Sequence, residues 1–460
     1  MKRFLFLITL SSCFLLPSAA AQTKVYLPLD SCSAWALQHQ AVLKNAAREV
    51  EMAQEARKSA LTKYFPTLYM SASYFKAKDP LVDIKASDNS DKIEVSAHIE
   101  GSDADLESIA RDLMEQVSFD ARLRLFEHGA MVNAIAMQPI FAGGRIVNGN
   151  KLAELGVQAA ELKLAMTTDE VEMNTQQYYW RVVSLQTKTT TLRQALQMLD
   201  TLERDAQAAH NAGVIGRNDL LKVRLKKNEL LASEVQLRNG IELATMALCQ
   251  YVGIGYDDST EYLFDTIAIG TLPTDGRWPL TADNRTESQL LELGVEAARL
   301  QKAMTLGEAL PQVAVGASYG INNLMDNGFK GNGLVFATLT VPLTAWWETS
   351  HKVRKAELER QQAEERRDDL RQQMELQQRQ AWNEMNEAYT QIALRQQGME
   401  DAQENLEEVK HYYQAGLQGV SDLLEAQTLM TQTRNDWVDQ LITFQLKAFR
   451  YHQLTHPNRP

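Results

Sequence analysis

Two stretches of the chain repeat each other 203 residues apart, and no other feature of the sequence limits the fold so much. Ala212-Gly213-Val214-Ile215-Gly216-Arg217-Asn218-Asp219-Leu220-Leu221 returns as Ala415-Gly416-Leu417-Gln418-Gly419-Val420-Ser421-Asp422-Leu423-Leu424, identical at six of ten positions. The same offset carries Pro139 onto Pro342 and Ala142 onto Ala345, so proline and glycine stand 74 residues apart in both halves. That spacing predicts a duplicated unit. A third pair, Phe65-Pro66-Thr67-Leu68 and Leu310-Pro311-Gln312-Val313, lies 245 residues apart, which places about 42 extra residues between Pro66 and Pro139.

Proline placement turns the repeat into helices. None occurs between Pro139 and Pro273 or between Pro342 and Pro457, although proline is common in loops and costs about 3 kcal/mol in a helix interior. Residues 145–207 are rich in Ala, Leu, Glu, Gln and Lys, with Gly149 and Gly156 only near the start. As one helix this segment would reach roughly 95 Å at about 1.5 Å per residue. A rod of that length must pack along other rods. The return segment offers an apolar stripe of Leu220, Val223, Leu230, Leu237, Ile241, Ala244 and Leu248, and Leu423, Met430, Trp437, Leu441 and Phe444 form its counterpart. Helical hairpins are therefore predicted over 145–250 and 346–452. Gly213 and Gly416 suit the left-handed residue that ends a helix, and Asn218-Asp219 and Ser421-Asp422 offer N-capping oxygens to the next one. Shorter helices are expected from Asp30 or Ser31 to about Lys63, and from Asn284-Arg285-Thr286-Glu287 to about Glu308.

Strands are expected near 66–76, 130–140, 311–320 and 333–342. Leu68, Met70, Ala72 and Tyr74 alternate with Thr67, Tyr69, Ser71 and Ser73; Val313, Val315, Ala317 and Tyr319 alternate with Gln312, Ala314, Gly316 and Ser318. One apolar and one small or polar face is what a lipid-facing barrel strand requires. Tyr69, Tyr74, Phe75, Tyr319 and Phe336 could supply aromatic girdles or core aromatics alike. After the N-terminal segment no run of 18 apolar residues occurs, so a membrane crossing would have to be made by strands. Four strands cannot close a barrel, and several chains would have to share one.

Residues 1–21 read as a secretory signal peptide, with Lys2 and Arg3 before the apolar run Phe4–Leu16 and a small-residue cleavage site before Gln22. Leu10-Ser11-Ser12-Cys13 also fits a lipoprotein box that would tether the chain through Cys13. The formal charge of −12 falls by two, to about −14, when Lys2 and Arg3 leave. An acidic exported chain argues against nucleic acid as a partner. Cys32 and Cys249 have no neighbour at metal or redox spacing; they read as small apolar residues, with one disulfide between them open.

The paired Pro-headed strands, the Gln138-Pro139-Ile140-Phe141-Ala142-Gly143-Gly144 and Val341-Pro342-Leu343 strand ends leading into long helices, and the paired glycine tips together resemble the TolC family of outer-membrane efflux ducts. The resemblance spans essentially the whole mature chain. It implies a mainly α fold with a small transmembrane β part: long antiparallel helical hairpins forming a periplasmic α-barrel, and four strands per chain contributing to a 12-stranded barrel shared by a homotrimer in the outer membrane of a Gram-negative bacterium. The domains would be 22–252 and 284–456 as repeats and 253–283 as connector. By the resemblance, Gly213, Val214, Ile215, Gly216, Gly416, Leu417, Gln418 and Gly419 dock a periplasmic adaptor (membrane fusion) protein, which couples the duct to an inner-membrane pump of the RND type. Tyr413, Asp422, Glu425 and Asp219 would narrow the periplasmic aperture, where Asp422 and Glu425 lie one helical turn apart and could bind cations or repel anions. Asp422 could equally cap its helix. Gln418 stands where the best-known member has an arginine, which leaves a salt-bridged closed gate without its cation.

The insertion at about 79–128 would lie at the cell surface. Leu106, Ile109, Leu113 and Val117 fit a small amphipathic helix there, an acidic loop being the alternative. No metal-ligand spacing, Walker loop, nucleophile elbow or CxxC pair occurs, so no enzyme and no cofactor is expected. The sequence is thus read as the outer-membrane channel of a tripartite efflux pump exporting small molecules. The alternatives are the exit duct of a type I protein secretion system and, from another class, a soluble periplasmic coiled-coil scaffold or adaptor.

Overall fold

Long proline-free segments become long helices, and a few prolines and glycines mark where the chain turns. The computed structural model describes residues 23–78, 82–86, 94–97, 121–125, 128–267, 270, 272, 282–283, 285–323, 330–343 and 345–455. The signal peptide, Cys13, the proposed helix at Leu106, Ile109, Leu113 and Val117, most of the connector beyond 267 and Asn284 lie outside these residues. The order is β1 (Thr23–Leu27), α1 (Leu29–His39), α2 (Ala41–Leu61), a 3-10 turn (Thr62–Tyr64), β2 (Thr67–Lys76), β3 (Val82–Ala86), β4 (Glu94–Ala97), β5 (Ala121–Leu125), β6 (His128–Ala142), α3 (Arg145–Asn211), α4 (Arg217–Val252), β7 (Thr260–Phe264), α5 (Thr286–Glu308), β8 (Gln312–Asn323), β9 (Lys330–Thr340), α6 (Ala345–Gln414) and α7 (Val420–Thr455). The fold is mainly helical with a small β part. Helices α3 and α6, of 67 and 70 residues, each run about 100 Å. None of the described helices is long and apolar enough to cross a membrane.

One compact unit gathers residues up to 48, 162–289 and 370–460. Its lower core joins Leu192, Leu196, Leu199 and Leu202 of α3, Leu220, Val223 and Leu230 of α4, Val409 of α6 and Leu423 and Ala426 of α7. Spacings of three, four and seven along each helix keep these side chains on one seam. A second core surrounds Tyr179, which is fully buried. Its hydroxyl donates to Asp265 Oδ2 (2.8 Å) and accepts from the Asp265 N–H (2.8 Å), while Asp265 also accepts from the Leu29 N–H (3.0 Å) and the Tyr26 hydroxyl. That carboxylate fastens a two-stranded parallel ladder, β1 on β7 with Leu27 opposite Phe264. The ladder was not foreseen, and it places a strand inside the expected connector. Cys32 and Cys249 are free thiols in the same core, and burial pushes the Cys32 thiol up to about 12.

The helix expected from Asp30 or Ser31 to Lys63 is instead two helices. Pro28 occupies the N-cap with no side-chain hydrogen bond, which leaves Asp30 in the first turn. Gln40 breaks the run with ψ 124°, and its side-chain amide donates to the Tyr251 carbonyl. A tertiary hydrogen bond here overrides local propensity.

The second unit comprises 49–161 and 290–369. Its antiparallel sheet has the order β2-β6-β8-β9, so β2 and β9 each have one neighbour. Leu68, Ala136, Ala317 and Val335 form one row across the sheet, and Met70, Ala134, Tyr319 and Gly333 the next on the same side. This face is apolar and bare: Leu68 is 80% and Val335 85% exposed. The opposite face is mixed, with Ser71, Asn133, Gly320 and Asn332 in one row. Of the five aromatics considered, Tyr74 and Tyr319 share the apolar face, while Tyr69, Phe75 and Phe336 fall on the mixed one by register.

At Pro139 the register shifts, a bulge that a residue without an N–H tolerates. Gly143 follows at φ 63°, and a Cβ there would lie 2.1 Å from the Gly307 carbonyl oxygen; only glycine allows the chain entering α3 to cross α5 so closely. The described part of the insertion is neither helix nor loop but an antiparallel sheet of order β4-β3-β5.

Candidate functional site at the hairpin tips

Each hairpin turns in five residues, and the two turns share one backbone solution. Gly213 and Gly416 both have φ 76°, the left-handed conformation that costs other residues about 1–2 kcal/mol. The Gly213 N–H donates to the His210 carbonyl (2.9 Å) and the Val214 N–H to the Ala209 carbonyl (2.9 Å). Gly416 repeats this onto Tyr413 (3.0 Å) and Leu417 onto Tyr412 (2.9 Å). These are two Schellman motifs, which satisfy carbonyls that would otherwise end a helix unpaired. In such motifs the apolar residue after the glycine commonly folds back on its helix. Here it does not, for Val214 is 75% and Leu417 73% exposed.

Beneath the turns the tips join one core. Ile215, Leu220, Tyr413, Val420 and Leu423 belong to the same cluster, and Lys222 Nζ donates to Ser421 Oγ across the hairpins (2.8 Å). Tyr413 is half-buried, and burial, followed by the charges of Asp205 and Asp219, raises its phenol above the ordinary tyrosine value. The four residues expected to line an aperture are therefore not equivalent. Asp219 is within 3.7 Å of Lys222, whereas Asp422 and Glu425 are exposed and form no ion pair among the described residues.

The expected N-caps are corrected by the geometry. Gly216, not Asn218 or Asp219, is the N-cap of α4, and it receives no side-chain hydrogen bond. Helix α7 begins at Val420, so Asp422 stands in its first turn and reaches back: its Oδ2 accepts from the Gly419 N–H (3.2 Å). This is the returning half of a capping box, and it leaves the other carboxylate oxygen to solvent. Gln418 turns its amide inward, with Oε1 buried and without a hydrogen-bond partner. Lys222 was missed by the sequence reading, although it stands one turn after Asp219 and is equivalent, at the repeat offset, to Glu425. Among the described residues no group of three His, Cys, Asp or Glu side chains could hold a metal.

Residues 281–441 match the family of outer membrane efflux proteins. The fold is similar to that of CusC, a transmembrane channel (TM-score 0.75, 14% identity, 94% of this chain and 93% of that one). It is also similar to the outer-membrane channel OprN (0.74, 13%, 93% and 89%) and to the outer membrane protein VceC of Vibrio cholerae (0.72, 17%, 93% and 95%). No curated protein sequence matches.

Proposed function

We propose that this chain is an outer-membrane efflux protein of the TolC family, as the match over residues 281–441 and the similarity of fold support, and that it is one of three identical protomers of a passive duct. Through it an inner-membrane pump of the RND type, coupled by a periplasmic adaptor, expels small molecules. The family's members are transport ducts rather than enzymes. The observation that carries the reading is the four-stranded sheet: among the described residues its apolar face is bare and both of its edges lack a neighbour. Backbone groups in lipid must all be paired, so such a sheet is complete only as part of a closed barrel. Three copies would supply about twelve strands, within the range of membrane barrels. Helix α4 adds support, since Leu225 and Leu243 are 68% and 65% exposed on a stripe with Leu221, Val235 and Met246; a second copy would cover it.

We read Gly213, Val214, Ile215 and Gly216 with Gly416, Leu417, Gln418 and Gly419 as the adaptor's docking surface. The two Schellman turns present bare backbone and one unpacked apolar side chain each, which suits the close approach of another protein's hairpin. Tyr413, Asp219, Asp422 and Glu425 form the aperture in this reading, and the two repeats, 22–252 and 284–456, would bring their tips to one end. Light scattering on the detergent-extracted protein, corrected for detergent, tests the assembly: three chains per particle, with ion conductance in a planar bilayer, is the expected result. A monomer that stays in solution without detergent would overturn it.

A further inference from the structure

We propose that a niche on the mixed face of the sheet, where β2 and β6 meet α3 and α5, binds an amphipathic organic anion. The niche encloses about 660 Å³, within the size range of sites for drug-sized molecules. It lies entirely within the sheet-bearing unit. In calling it a subsite of the export route the inference rests on the duct reading, because that reading makes the mixed face the lumen wall.

Three features define the niche. Met137 and Met304 line an apolar surface, and thioether side chains adapt to ligands of irregular shape. Lys63 and Arg145 line the same space and form no ion pair among the described residues. The one acidic lining residue is Glu308, 3.9 Å from a Lys352 Nζ that pairs more closely with Glu348 (2.9 Å), so the lining sets two cations against one carboxylate. A surplus of positive charge over an apolar floor favours a carboxylate or sulfonate on a hydrophobic body. Finally, the Asn150 amide is fixed through its nitrogen, which donates to the Ala60 carbonyl (3.0 Å) and the Ile146 carbonyl (2.8 Å). Its Oδ1 is buried out of reach of any molecule in the niche, so Asn150 stiffens the wall and contacts no ligand.

The walls are preformed. The backbone crossing of Gly143 and Gly307 holds the start of α3 against the end of α5, so little ordering cost falls on the ligand. The anion could be a soluble compound in transit or the headgroup of a resident acidic lipid; both present the same chemistry to Lys63 and Arg145.

The test uses the full-length protein in phosphatidylcholine nanodiscs titrated calorimetrically with cholate, a hydroxylated steroid carboxylate, against empty nanodiscs. Saturable binding at one cholate per chain is expected, reduced at least tenfold by K63E combined with R145Q and by G149L, which fills the niche. Dodecyltrimethylammonium, a cationic amphiphile, should bind at least tenfold more weakly. Displacement of cholate by added phosphatidylglycerol would support the acidic-lipid source, and its persistence the soluble one. Absence of saturable binding, or equal affinity in wild type and K63E/R145Q, would overturn the site. Conductance of the same preparation separates the two proposals: protein that conducts but does not bind cholate loses the niche alone, and protein that binds but does not conduct loses the duct alone.

Discussion

The two hairpin tips have the same backbone and opposite chemistry. Both close with a glycine at φ 76° and the same pair of hydrogen bonds. Yet the repeat offset sets Lys222 against Glu425 and Ile215 against Gln418. In the first tip Asp219 and Lys222 neutralise each other; in the second, Asp422 and Glu425 leave two carboxylates one turn apart. The main-chain geometry of a turn is dictated by glycine and hydrogen bonding and tolerates no variation, whereas side chains at its rim are free to diverge. If three chains surround an axis, the second tip brings two carboxylates to the aperture, whereas the first brings a paired Asp219 and Lys222 and the exposed guanidinium of Arg217.

Abolishing what the tips share should have the largest effect. G213V and G416V force a β-branched residue into the left-handed region at about 1–2 kcal/mol each or more; each should lower the melting temperature and abolish export in an efflux assay while the particle mass stays that of a trimer. Equal loss from the two variants is expected, and a strong inequality would mean that one hairpin carries the docking. Inverting what differs comes next: E425K, which makes the second tip like the first, should shift the reversal potential toward anions severalfold, while K222E should move it toward cations. No change in selectivity from either would remove these residues from the aperture. Capping gives a smaller contrast. D422A should cost about 1 kcal/mol in thermal unfolding, against a few tenths for D219A, whose carboxylate caps nothing. Finally Q418L, which replaces a buried unpaired amide by an apolar group, should stabilise by about 1 kcal/mol, and a loss of stability would show that the amide has a partner in the assembled protein.

Much of this architecture was legible because it is repetitive and local. Absence of proline marks α3, α4, α6 and α7 as helical, glycine marks the turns between them, and period-two alternation marks β2 and β8. Elements that depend on distant partners were not legible. β1 and β7 are five residues each and pair across some 237 positions, so neither has an internal signal strong enough to stand out. The break at Gln40 is set by the carbonyl of Tyr251, far along the chain. Local propensity favours continued helix there. At the tips, residue types were readable but roles were not: α7 begins three residues earlier than a cap at Asp422 would set, which turns Asp422 from a cap into the side chain that reaches back to one. The niche around Asn150 had no sequence signature, since its lining comes from four separate segments.

The edge strand β2 has a further consequence. From Thr67 to Phe75 it contains no charge and no proline, and its apolar face is open. Natural proteins usually guard such edges with lysine or proline. A lone chain in water therefore displays a segment with the composition of an aggregation nucleus, and its survival becomes a race between finding its proper neighbours and sticking to improper ones. Productive yield should accordingly depend on synthesis rate and on holdase chaperones that shield residues 67–75 in transit, more than on the thermodynamic stability of the finished particle.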